Sequence, residues 1–263
     1  MTFGPIRSLG LRSDLMVMGA RTVLADRGDH LVTRTPDEPD YWFGNAVILR
    51  GPEVDLDHTE ALFRAAHPAA RHRVVQWDDP LPARRAVTAA LPDGWEVEET
   101  DVLTAAALRP VPAPDGYVLR PLADDGDWRQ AEALARAIGV EQGDDDDRHA
   151  AFVAKRTAFA RNVTAEGRGV RMGAFRDGAL AAAAGIAWGD GLARYQDVET
   201  GLDHRRKGLA AALAGELAAE SVRRAPGAVL VILADADADG PGRLYRRLGF
   251  RRSEGMLAAV RPG

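Results

Sequence analysis

The sequence predicts an α/β protein of two similar halves, in which short strands and helices alternate. Three observations carry this prediction. Brief apolar or alternating runs are interleaved with stretches whose apolar residues recur at helical spacing. The order strand, strand, helix, strand, helix, strand occurs in both halves. Between them lies RPVPAPDG, residues 109–116. Three prolines in eight residues prevent a helix and remove ladder donors, so the segment reads as a short stiff linker. The expected domains are therefore 1–108 and 117–263.

In the first half, HLVTRT and YWFGNAVILR are predicted strands, followed by a helix near Asp57–Ala66. RHRVVQW is a strand, ARRAVTAAL a short helix and WEVEETDVLTAAA a closing strand. The second half opens with the strand YVLRPL. A helix follows from about Asp127 to Ile138, with Ala131, Leu134, Ala135 and Ile138 at helical spacing. After the acidic stretch EQGDDDD, residues 141–147, comes a second helix, Arg148–Arg161. RGVRMGAFRDGALAAAAGIAW is a pair of strands divided by Asp177-Gly178, a strong hairpin signal. LARYQDVET is the next strand. Leu209, Leu213 and Leu217 then form the buried stripe of a helix whose end suits Arg223 and Arg224, and Pro226-Gly227 stops it. AVLVILA is a continuous apolar run of the kind a central strand shows. A short helix, Pro241–Leu248, ends at Gly249, and the last strand is expected from Phe250.

Composition narrows the function. The 263 residues are 46% hydrophobic and 28% charged, ample for a core and a polar surface. Cysteine is absent, which removes disulfides, thiolate metal sites and cysteine nucleophiles together. A net charge of −5 argues against general nucleic-acid affinity. No apolar run approaches the roughly 18 residues of a membrane span. The first twenty residues lack a basic segment leading into an apolar stretch, so no signal peptide is expected and the compartment expected is the cytoplasm.

Against that acidic background, HRRKGLAAALAGEL, residues 204–217, stands out. Three cations and a glycine open a helix, although the helix dipole already places about half a positive charge there. The pattern makes sense if an anion binds at that turn. First-turn N–H groups have no intrahelical acceptor, and Gly208 lets the backbone approach without a Cβ in the way. Arg205, Arg206 and Lys207 add charge-assisted contacts. The missing partner is most simply a ligand pyrophosphate, and the bland alternative is a solvated basic turn.

Arg205-Arg206-Lys207-Gly208-Leu209-Ala210 fits the Q/R-x-x-G-x-G/A signature of the GNAT superfamily of acyl-CoA-dependent N-acetyltransferases. Leu244-Tyr245-Arg246-Arg247-Leu248-Gly249-Phe250 looks like that family's Y-x-x-x-G-F segment. The chain is thus identified as resembling that superfamily over residues 117–263. Its duplicated layout resembles tandem GNAT proteins in which one half is degenerate. The resemblance implies two GNAT-like domains, each a mixed, mostly antiparallel sheet flanked by helices. It further implies acetyl-CoA as cosubstrate, a primary amine of a small molecule or peptide as acceptor, and direct attack on the thioester. In the first half the equivalent turn falls near RGPEVDLDHTEALF, where Glu53, Asp55, Asp57 and Glu60 would repel a pyrophosphate.

The resemblance also implies roles. The N–H of Val198 would contact the thioester carbonyl, and the N–H groups of Arg206 to Ala210 would hold the pyrophosphate. Tyr245 would protonate the leaving thiolate. For the base, Glu199 is the first candidate, with Asp197, Glu141 and ordered water as alternatives. Arg194 stands where some members have a basic residue and cannot accept a proton. A catalytically silent acyl-CoA-binding or interaction protein is the rival reading. Asp235, Asp237 and Asp239 begin like a calcium loop, but the twelfth position is Arg246 rather than a bidentate carboxylate, and Asp239 reads as a helix N-cap. The asparagine that many GNAT proteins carry in this loop is missing. Asp144–Asp147 read as a solvated loop or as an acidic edge of the acceptor site favouring a cationic amine. The six histidines show no ligand spacing, so no metal is expected.

Overall fold

The computed structural model describes residues 6–39, 41–144, 147–236 and 239–263, with backbone alone at 56 and 239. The chain divides into two compact units that interleave in sequence. One holds the chain up to Leu103 together with Leu233–Gly242 and Arg252–Gly263; the other holds Thr104–Ile232 and Arg243–Arg251.

The first unit contains α1 (Leu9–Met18), β1 (Val23–Asp26), β2 (His30–Arg34), β3 (Val47–Leu49), α2 (Leu56–Ala66), β4 (Arg73–Trp77), α3 (Arg84–Ala90), most of β5 (Glu96–Ala105) and β11 (Arg251–Arg261). Its strands run in the order β1-β2-β3-β4-β11-β5. β3 and β4 are parallel, whereas β2 pairs antiparallel with β3, and β11 with β4. Alternation in β4 sends Val74 to one face with Phe63 of α2, and Val75 and Trp77 to the other with Val87 of α3.

Two features of this unit escape the sequence reading. α1 is buried through Leu11, Leu15, Met16, Val17 and Met18, so it lacks the polar face that gives a helix its periodic signature. A Cβ at Gly10 would come within 2.1 Å of Met256 Sδ and 2.8 Å of Val102 Cγ2, so a larger residue here requires those side chains to move. The last strand begins at Arg251, one residue after the expected start. Gly249, at φ +117, turns the chain out of the preceding helix first.

The second unit contains β6 (Val118–Pro121), α4 (Asp125–Gln142), α5 (Asp147–Ala165), β7 (Gly169–Arg176), β8 (Ala179–Gly189), β9 (Leu192–Thr200), α6 (Leu209–Arg224), the first part of β10 (Val229–Asp235) and most of α7 (Asp239–Leu248). Its strand order is β10-β9-β8-β7-β6, antiparallel except for the parallel pair β9–β10. Asp177 and Gly178 both have positive φ, as a two-residue type I′ hairpin requires, and Asp190-Gly191 repeats the device between β8 and β9. α4 and α5 are longer than their periodicity suggests. α4 starts two residues early because Asp124 caps it, accepting the N–H of Asp127 at 3.0 Å, and Gly143 ends it at φ +96. Ala181–Ala184 of β8 are fully buried beneath α4 and α6, where small side chains let the helices lie close.

The proline-rich segment is not a free tether. A Cβ at Gly215 would stand 3.6 Å from the Val111 nitrogen, and one at Gly208 3.9 Å from Pro114 Cγ. The segment therefore runs along α6 toward its N-terminus, about 10 Å for seven residues.

Candidate functional site

The site lies in the second unit and begins with β9. Its parallel pairing with β10 covers only Leu192–Arg194, opposite Val229–Val231. From Tyr195 onward, the edge of β9 facing β10 is not taken up by that strand. On the other edge, Ala183 pairs with Glu199 and Gly185 with Gln196, so Asp197 and Val198 together face the single residue Ala184. This is a β-bulge, a device that re-aims backbone and side chains. Asp197 adopts φ +44, a left-handed conformation unusual for a residue with a Cβ. Val198, the expected carbonyl contact, is half-buried beside it.

Beyond β9, a single turn of 3-10 helix, Leu202–His204, leads into Arg205-Arg206-Lys207-Gly208. All four residues are exposed. Arg206 lies at φ +63 and Gly208 at φ +85. Gly208 is the N-cap of α6, and no side chain caps that helix. The first hydrogen bond into the turn is Ala212 N–H to the Gly208 carbonyl at 3.0 Å, so the N–H groups of Leu209, Ala210 and Ala211 lack intrahelical acceptors. Leu209 is fully buried and anchors the turn, while Ala210 is half-buried. Leu213 and Leu217 continue the stripe, each burial worth about 1.5–3 kcal/mol.

The three cations differ in what they do. Arg206 has no hydrogen-bonding or ionic partner among the described residues. The Lys207 ammonium donates to the Asp203 carbonyl at 2.7 Å. Arg205 is committed elsewhere: its terminal nitrogens bond both oxygens of Glu141, at 2.7 and 2.5 Å, and its Nε donates to the Thr200 carbonyl at 3.2 Å. Glu141, an alternative base, is thus neutralised by Arg205. At the head of α2 in the other unit the situation is reversed. Asp55 caps that helix, accepting the His58 N–H at 2.9 Å, so a carboxylate occupies the position where an anion would sit.

Tyr245, on α7, is 6% exposed, and burial pushes its hydroxyl up to about 12 against an opposing effect of the Arg194 charge. Its ring meets Phe250 edge-on at 5.9 Å, and Phe250 in turn meets Tyr195 at 5.7 Å. The Tyr195 hydroxyl donates to the Ala214 carbonyl of α6 at 2.7 Å. Burial raises the Tyr195 pKa as well. The final Gly-Phe of the Y-x-x-x-G-F segment therefore has a physical task. Gly249 turns the chain so that Phe250 can seat between two tyrosines, tying α7, β9 and α6 together.

Glu199 is enclosed by charge. Its two oxygens accept bonds from Arg156 of α5 at 2.6 Å and Arg171 of β7 at 2.8 Å. The same guanidiniums reach Asp197 at 3.4 and 3.3 Å, closing a ring of two cations and two anions. Burial raises the Glu199 pKa, with both arginines opposing. Arg156 and Arg171 are site residues the sequence reading missed. The available signal was Arg171 itself, a cation inside the stretch Val170–Phe175 that otherwise has no charged residue.

Arg194 donates to the carbonyl of Tyr195. Of the acidic run, Asp144 is exposed and lies 4.0 Å from His149, Asp147 opens α5, and Asp145 and Asp146 fall outside the described residues. Asp237 and the Asp239 side chain also fall outside them; α7 begins at Asp239, two residues before the expected Pro241, so Asp239 is its first helical residue rather than the cap preceding it. Among the described residues no group of three or more His, Cys, Asp or Glu side chains is placed to hold a metal ion. No helix there is long and apolar enough to cross a membrane.

Residues 171–257 match a family model described as FR47-like protein. No curated protein is similar enough to the sequence to match it. Among solved structures, a functionally unknown conserved protein from Staphylococcus epidermidis is similar at 9% identity and a TM-score of 0.71, covering 94% of this chain and 96% of that one. A GCN5-related N-acetyltransferase from Kribbella flavida is similar at 20% identity and a TM-score of 0.65, with 96% and 94% covered. A tandem GNAT protein from the clavulanic acid biosynthesis pathway is similar at 15% identity and a TM-score of 0.54, with 95% and 93% covered. The fold is shared with these GCN5-related and tandem GNAT structures over nearly the whole of the chain.

Proposed function

We propose that this chain, built on the GNAT fold, is an N-acetyltransferase that moves an acetyl group from acetyl-CoA to a primary amine. One observation carries the reading: the uncapped, cation-flanked N-terminus of α6, opened by Gly208 at positive φ directly after the strand that carries Val198. An anion of the size and charge of a pyrophosphate satisfies N–H groups that the protein itself leaves without acceptors.

Acetyl-CoA supplies an activated acyl thioester, and the residues here supply the rest. Backbone N–H groups from Arg206 to Ala210, aided by Arg206 and Lys207, hold the phosphates. The Val198 N–H donates to the thioester carbonyl and stabilises charge developing on its oxygen. Tyr245, protonated throughout the neutral range, donates to the leaving thiolate, whose ordinary pKa is near 8.5. Glu199 keeps lone pairs beyond its two arginine bonds, and burial raises its proton affinity. It is the carboxylate fit to take the ammonium proton, directly or across a water. The first unit, with Asp55 capping α2, does not bind the cosubstrate.

Calorimetry tests this with CoA and acetyl-CoA. The expected result is one site per chain, together with thiol release when acetyl-CoA is offered with a panel of amines. Absence of binding refutes the reading. Binding without thiol release across a broad panel favours a silent acyl-CoA-binding protein.

A further inference from the structure

The charged ring beside the bulge has more order than a pair of surface salt bridges requires. Arg171 starts on β7, yet its guanidinium ends on β9, two strands away, roughly 10 Å across the sheet. It crosses β8 where the residues are Ala183 and Gly185, opposite Glu199 and Gln196, too small to obstruct it. Its side chain is only 6% exposed. Each of its terminal nitrogens bonds a different carboxylate, Nη1 to Asp197 and Nη2 to Glu199. Arg156 closes the ring from α5 in the same two-pronged way. The residue so gripped, Asp197, has a left-handed φ that its Cβ disfavours, and Val198 follows it directly.

Buried ion pairs of this kind seldom add net stability over apolar packing, and their best-attested use is to specify one geometry. Here the geometry specified is the bulge. We propose that Arg171 is a positioning residue that, by bridging Asp197 and Glu199, holds the β9 bulge in the one conformation that turns the Val198 N–H toward the acyl carbonyl of the donor. This rests on the acetyl-CoA reading above and adds to it the residue that sets the carbonyl contact. Arg156 completes the ring from outside. Arg171 itself touches neither donor nor acceptor.

The test needs no acceptor. Acetyl-CoA carrying a 13C-labelled carbonyl is bound to the full-length protein, and the infrared band of that carbonyl is compared with the free thioester. CoA affinity is measured in parallel by calorimetry. In the wild-type protein the band moves to lower frequency, because a hydrogen bond weakens the C=O bond. In Arg171→Met the shift is lost, while the CoA Kd stays within about threefold, since the phosphate turn is a separate site. Asp197→Asn, which removes one charge from the ring at nearly constant volume, gives the same loss and serves if Arg171→Met does not fold by circular dichroism. A full shift retained in either folded variant overturns the proposal. So does loss of CoA affinity along with the shift, because the arginine is then a general structural support. A wild-type protein that binds acetyl-CoA with no shift removes the Val198 contact, and this inference with it, but leaves the cosubstrate reading standing. A wild-type protein that binds neither compound refutes both.

Discussion

Arg205 and Glu141, sixty-four residues apart, form a two-pronged ion pair at 2.7 and 2.5 Å, so a cation of the turn that precedes α6 is held by the end of α4. Exposed pairs of this type contribute about 0–1 kcal/mol. Glu141→Gln releases the guanidinium toward an anion at the turn, and CoA affinity is expected to rise by up to about fivefold at low ionic strength. The gain fades in high salt, where such charges are screened. Calorimetry at two salt concentrations checks it, and weaker CoA binding in the variant counts against the assignment of this turn.

Gly208 separates backbone strain from ligand exclusion. At φ +85, with Pro114 Cγ 3.9 Å from where a Cβ would sit, alanine meets no steric obstacle but takes up a disfavoured conformation. Gly208→Ala should lower stability by about 1 kcal/mol, visible in denaturant unfolding. Gly208→Glu should in addition abolish the thermal shift caused by CoA, because a carboxylate then occupies the anion position.

Tyr245 should behave as an acid that never ionises in the working range. With its hydroxyl pushed up to about 12, the rate of thiol release should show no alkaline fall due to this residue below about pH 11. Tyr245→Phe is expected to slow release about tenfold or more, with little effect on CoA affinity. Phe250→Ala removes the ring wedged between Tyr245 and Tyr195 and should cost about 3–5 kcal/mol of stability.

The first unit should be acid-sensitive through His67. Desolvation pushes this side chain down to about 4 from 6.5, with Arg34 and His72 adding to the effect and a bond to the Ala46 carbonyl opposing it. A folded-state pKa below the unfolded one means that the unfolded chain binds more protons in this interval. The stabilisation is therefore complete above about pH 6.5 and is lost as pH falls through about 4. It amounts to at most ~3 kcal/mol. Unfolding midpoints measured across pH 4–7 should fall with acid, and His67→Phe should flatten that slope.

The elements that were legible from sequence are those whose signal is local. Asp177-Gly178 announces its hairpin because both residues tolerate positive φ. The leucines of α6 announce their stripe because burial recurs with the helical turn. Gly208 after three cations announces a helix N-terminus opened at positive φ without a side-chain cap, because glycine alone takes that conformation freely. α1 was missed for the complementary reason: it is buried on nearly every side, so its sequence carries no period to read. The early start of α4 was missed because a single capping carboxylate, Asp124, decides it.

The hairpins, the leucine stripe of α6 and the Gly208 turn at its head were thus set by the sequence alone, through periodicity, backbone handedness and short-range spacing, whereas the interleaving of the two units along the chain was not. Only the tertiary structure decided that Arg205 is held by Glu141, that Glu199 lies between Arg156 and Arg171, and that the last strand pairs antiparallel with β4. Those outcomes depend on register across strands and on side chains dozens of residues apart. A one-residue change of register would exchange the faces of a strand and give every such charge a different partner.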